Sequence, residues 1–134
     1  MLINLSNHPS SRWSKDQERA AADYGETMDL FFPNVDPWWS AEEIEQVADI
    51  YVEKVLELIK SQNPKHCAVH LMGELTLCYA LVKRLHKRGI SCIASTSERL
   101  SVENGSTKVS EFRFCRFREY SRLGDADSGQ VQKV

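Results

Sequence analysis

The stretch LINLSNHPSSRWSKDQ, residues 2–17, decides the fold. Leu2, Ile3 and Leu5 make a short apolar strand over residues 2–6 that runs straight into Asn7, His8, Pro9, Ser10, Ser11 and Arg12. A helix follows at once. Ser14 and Gln17 form a capping-box pair, the hydroxyl accepting from the first turn and the amide reaching back. Ala20, Ala21 and Ala22 favour the helix, and Gly25 ends it. A plain strand-to-helix connection needs only two to six residues of turn chemistry. The donors and the cation gathered in this loop therefore ask for a use.

The same alternation repeats downstream. Met28–Phe32 (MDLFF) reads as a second strand ended by Pro33, and Asp36 is a turn residue before Pro37. Ser40 and Glu43 make a second capping box, with Trp39 folding onto Ile44 as a hydrophobic staple. Core packing accounts for Trp38 about as well as stacking on a base does. Ile44, Val47, Ala48, Tyr51, Val55 and Leu58 then recur at helical spacing as far as Asn63-Pro64. Cys67–Leu71 (CAVHL) is a third strand, nearly continuous in apolar residues and so covered on both faces. Gly73-Glu74 opens a third helix with Cys78, Leu81, Val82 and Leu85 as its stripe, closed by Gly89. Lys83, Arg84, His86, Lys87 and Arg88 crowd its last turn and read as a solvated helix end. A fourth strand, Ser91–Ser95, continues toward Val102. Asn104-Gly105 is a strong hairpin signal, and Val109–Tyr120 returns antiparallel as a fifth strand.

This order, β-α-β-α-β-α-β-β, predicts an α/β protein with right-handed crossovers. The expected architecture is a small Rossmann-like three-layer domain over residues 1–121. Its mainly parallel sheet has the order 2-1-3-4-5, with a C-terminal antiparallel edge hairpin. Residues 122–134 are rich in Gly, Asp, Ser and Gln and read as a disordered tail. Arg113, Arg116 and Arg118 put charge on the edge strand, which discourages edge-to-edge pairing.

With 134 residues and a net charge of -2, the chain advertises no surface for long nucleic acid or for a membrane. No apolar run reaches the ~20 residues of a membrane span. Cys67, Cys78, Cys92 and Cys115 have no metal-ligand spacing and read as reduced, buried thiols, which suits a cytoplasmic protein. The motifs GxGxxG, GxxxxGK[ST] and HExxH are absent. Nicotinamide binding, phosphate-loop hydrolysis and zinc proteolysis are thereby disfavoured, and no cofactor or metal is expected.

In such sheets ligands bind beyond the carboxyl ends of the strands, where the strand order reverses. That places NHPSSRW after the first strand opposite MGELT after the third. Asn7 and His8 can donate or accept. Ser10 or Ser11 would present hydroxyl and backbone donors to an anion, and Arg12 could fork onto a phosphate. Gly73 would let a ligand approach the backbone. Glu74 and Thr76 belong to the next helix's first turn, where capping explains them as well as binding does. Thr96, Glu98 and Arg99 add rim groups at the end of the fourth strand. His70, inside the third strand, reads as a buried structural histidine.

LINLSNHP, FFPNVDP and VHLMGELT together resemble small stand-alone proteins of CRISPR-linked neighbourhoods that carry a reduced CRISPR-associated Rossmann fold (CARF-like) domain. The resemblance covers roughly residues 1–120. It implies a role in antiviral defence, a homodimer that binds a cyclic oligoadenylate in a shared cleft and, in some relatives, metal-independent cleavage of that ligand (ring nucleases). Residues Asn7 to Arg12 would match the first ligand-facing loop, and Gly73, Glu74 and Thr76 the second. Neither loop carries a lysine, which argues for binding before turnover. Two other readings stay open. One is an enzyme of nucleoside or nucleotide metabolism with Glu74 as nucleophile or base and His8 as its acid partner. The other is an adaptor with no small ligand.

Overall fold

β1 (Leu2–Ser6) is buried along its whole length because it lies inside a sheet covered on both faces. The computed structural model describes residues 1–123. It adds β2 (Thr27–Phe31), β3 (Ala68–Met72), β4 (Ser91–Asn104) and β5 (Thr107–Glu119), in the order β2-β1-β3-β4-β5. The first three pairings are parallel, and β4–β5 is antiparallel. The expected α/β class, strand order and edge hairpin are therefore present. Gly105, at φ +67°, makes the hairpin turn with no side chain to strain.

Three helices cover the sheet: α1 (Lys15–Ala22), α2 (Ala41–Gln62) and α3 (Leu75–Lys87). Side chains alternate along each strand, so β1, β3 and β4 each serve two cores. Ile3, Leu5, Val69, Leu71 and Cys92 face α2 and α3, in a cluster with Ala48, Val55, Leu77 and Leu81. Leu2, Ala68 and Ile93 face the other way, toward α1, with Trp13, Ala21 and Phe117. Two long helices thus cover one face, while a single short helix covers the other.

Local signals set the helix ends. The Ser40 hydroxyl accepts from Glu43 N–H and the Glu43 carboxylate from Ser40 N–H, a complete capping box. Asn63 ends α2 in the left-handed region at φ +46°. Trp39 packs against the core that holds Ile44, as the staple requires. Trp38 stands 90% exposed, so core packing does not account for it.

The basic end of α3 is not merely solvated. Arg84 pairs with Glu45, its Nε donates to Asp49 Oδ1 at 2.8 Å, and Arg88 lies 4.0 Å from Glu53. Glu45, Asp49 and Glu53 form one column of α2, spaced four residues apart. Cys78 and Cys92 are buried, and burial pushes their thiols up to about 11 and about 12. Cys115 departs from expectation and is exposed, on the edge strand. Arg122, counted with the tail, donates to Ser91 Oγ at 3.0 Å, and residues 124–134 lie outside the described residues. Among the described residues no helix is long and apolar enough to cross a membrane.

Candidate functional site

Three strands carry a polar residue at one matched level on the α1 face. Asn4 of β1 lies in register with Asp29 of β2 on one side and His70 of β3 on the other. Asn4 Nδ2 donates to Asp29 Oδ1 at 2.9 Å and to the His8 carbonyl at 2.8 Å. Both partners are acceptors, so the amide can point only one way. Its Oδ1 then accepts from Ser6 Oγ and from His70 Nδ1, each at 2.8 Å. His70 Nδ1 must therefore carry the proton, which leaves Nε2 as a lone-pair acceptor. That nitrogen is buried and has no hydrogen-bond partner among the described residues. Burial, with His8 adding to it, pushes the imidazole down to about 4.

The same row shapes the first loop. Asn4 Nδ2 holds the His8 carbonyl and Ser6 Oγ accepts from His8 N–H at 3.2 Å, while Asp29 accepts from Ser10 N–H at 3.2 Å and from Ser10 Oγ at 3.0 Å. Ser10–Arg12 winds into one 3-10 turn, and Trp13 drops into the core behind it. Trp13 meets His70 edge-on with ring centroids 5.3 Å apart, and Phe117 meets His70 at 5.5 Å.

A cavity of about 470 Å³ opens over this wall at the carboxyl edge of the sheet. His8, Arg12 and Trp13 come from the first loop, and His70 and Met72 from β3. Ser95, Thr96 and Ser97 line it from β4, with Phe112 and Phe114 from β5. His8 and Arg12 are exposed, whereas His70 is 2% exposed, so the cavity runs from a cationic mouth to a neutral wall. A depression of about 540 Å³ between α2 and α3 is larger, but Asp49, Glu53, Arg84 and Arg88 line it and are paired with one another. Volume alone does not make that a site.

The sequence model of the Uncharacterized protein MJ1673 family matches residues 1–118. The chain belongs to that family. The matched span takes in every residue that lines the cavity. No curated protein and no solved structure matches the chain.

Of the residues expected at the site, this family member brings His8, Arg12 and Thr96 together. Thr96 Oγ1 already exchanges hydrogen bonds with the Arg116 backbone, so its hydroxyl serves the strand pairing. Ser10 is held by Asp29, and Ser11 is exposed outside the cavity wall. Arg99 lies out along the hairpin, donating to Ser110 Oγ at 3.1 Å.

The second loop is displaced for a clear reason. α3 starts on the face opposite α1, and Glu74 and Thr76 go with it. Glu74 accepts from Leu77 N–H at 2.8 Å, Thr76 N–H at 3.1 Å and Thr76 Oγ1 at 2.6 Å. These bonds, with Thr76 first, hold its carboxyl below the usual value. The space a Cβ would take at Gly73 is filled by the Phe32 ring, 2.5 Å away, so close packing accounts for the glycine. Asn7 and Glu74 share only a separate recess of about 260 Å³ with Phe32–Val35. Asn4, Asp29, Trp13 and the two β5 phenylalanines were not anticipated. The alternation of Asn4 and Ser6 in an otherwise apolar strand was the visible signal.

Proposed function

We propose that this protein binds a nucleotide in the cavity at the carboxyl edge, with cyclic oligoadenylate the first candidate. One observation carries this reading: a cavity of about 470 Å³ has His8 and Arg12 at its mouth and, in its wall, His70, whose Nε2 has no hydrogen-bond partner among the described residues. That volume lies within the usual range for small-molecule sites, about 300–1,000 Å³. Arg12 supplies a planar fork suited to phosphate, and Trp13, Phe112 and Phe114 supply apolar walls. The rival reading, with Glu74 as nucleophile or base, draws no support from a carboxylate committed to capping α3.

A thermal-shift panel of cyclic and linear oligoadenylates, mononucleotides and nucleosides tests the proposal. A nucleotide should raise the melting temperature by mass action. Arg12→Ala should abolish that rise without weakening the free protein. No shift anywhere in the panel overturns the nucleotide reading.

One cavity has room for about one nucleotide, so a cyclic ligand would engage two copies as an isologous dimer. Light scattering that shows a monomer with and without ligand counts against the cyclic ligand.

Turnover would be attack of a ribose 2′-hydroxyl on its own phosphate. The O2′–P bond forms, the P–O5′ bond breaks, the 2′-hydroxyl proton passes to water, and the leaving O5′ takes a proton from His8. Cleavage should survive EDTA and leave cyclic-phosphate ends, or 3′-phosphate ends where water then opens the ring. His8→Ala should slow it about 10²–10⁴-fold, the usual contribution of a general acid. Binding without product after hours leaves the protein a sensor.

A further inference from the structure

We infer that His70 Nε2 is a specificity contact, an acceptor that pairs with an uncharged N–H or O–H of the bound ligand. This rests on the nucleotide reading of the cavity and adds to it which part of the ligand faces inward.

Three observations converge. First, the Asp29–Asn4–His70 row fixes the tautomer, so Nε2 offers a lone pair and no proton. Second, the ring cannot turn to find a partner. Asn4 holds its Nδ1, and Trp13 and Phe117 pack edgewise against it. Third, a buried acceptor left without a hydrogen bond is destabilising, and folded chains satisfy nearly all such groups. His70 Nε2 is left so while its residue lines the cavity wall.

The chemistry of the inward-facing group follows. A lone pair in a place with little water repels phosphate oxygens and attracts a donor. Phosphate therefore belongs near Arg12 at the mouth, and a base amine or a ribose hydroxyl belongs near His70. Nε2 is closed to bulk solvent in the free chain, so the donor reaches it as a wall side chain gives way. A ligand lacking the donor would leave Nε2 unpaired and should be rejected.

Four probes separate the sources of the donor. They are adenosine 5′-monophosphate, purine riboside 5′-monophosphate without the amine, and the 2′-deoxy and 3′-deoxy forms of the first. Each is titrated calorimetrically into the wild type and into His70→Phe, which keeps an aromatic ring there but no acceptor. The wild type should lose about tenfold or more on one of the three analogues, the size of a hydrogen bond lost at a buried group. His70→Phe should bind that analogue and the parent nucleotide alike. If His70→Phe changes the affinity of all four probes by one common factor, or of none, the contact is refuted while the nucleotide reading stands. If none of the four binds the wild type, the contact is refuted, and the nucleotide reading falls with it only when the cyclic and linear oligoadenylates of the thermal-shift panel also give no shift.

Should His70→Phe not fold, the wild type still decides. The Nε2 nitrogen resonance of His70 should read as unprotonated in the free chain and move on saturation with adenosine 5′-monophosphate. An unmoved resonance at saturation refutes the contact.

Discussion

Asn4 fills all four of its hydrogen-bonding positions, and in doing so it fixes the proton on His70. The imidazole titrates near 4 in the folded chain, against about 6.5 when free. Between those values the unfolded chain binds the proton and the folded chain does not. Stability should therefore be full above pH 6.5 and fall as the pH drops toward 4, by about 3 kcal/mol at roughly 1.4 kcal/mol per unit. Urea unfolding at pH 7, 5.5 and 4.5 measures the slope, and His70→Phe should remove this share of it. Glu74 makes a contrasting case. Glu74→Ala should cost about 1 kcal/mol, as a lost N-cap does, and leave nucleotide affinity unchanged. A large drop in affinity would return Glu74 to the binding site. The sequence could not separate capping from binding at Glu74, because both uses ask for an acid in a helix's first turn. It did show His70 to be buried. It could not show the empty Nε2, which depends on where Asn4, 66 positions away, points its amide.

The helices and strands themselves were largely legible. Ser14 and Ser40 cap where their spacing says they should, and Asn104-Gly105 turns the hairpin. Local chemistry sets such features, so local sequence reveals them. The side of the sheet each helix takes is not local, and that choice moved Glu74 and Thr76 away from His8 and Arg12. The acidic column of α2 was missed for the same reason: Glu45 and Asp49 gain meaning only when α3 lies beside them. Arg84→Met, which keeps most of the aliphatic stem, should cost about 1 kcal/mol, the upper range for an exposed pair. Thermal melts in low and high salt would check it, since the loss should shrink as salt screens the ions. Gly73→Ala should be worse, at about 1–3 kcal/mol, because the buried Phe32 ring must give way. If its melt matches that of the wild type, Phe32 is not held as tightly as its burial implies.

The molecule taken whole is lopsided. One face of the sheet shares a large core with α2 and α3, whereas the other rests on the eight residues of α1 and a few aromatics. Proteins open in cooperative pieces, and the pieces with least buried surface open first. The α1 layer is that piece here, and it carries Trp13, Arg12 and one rim of the cavity. Backbone amides in α1 and the first loop should then exchange with deuterated solvent well ahead of those in β1 and β3, with the native sheet still closed beneath them. A ligand seated in the cavity would slow exchange there first. If that order of exchange is observed, the thin side of the sandwich opens over the interior row while the rest of the protein stays folded.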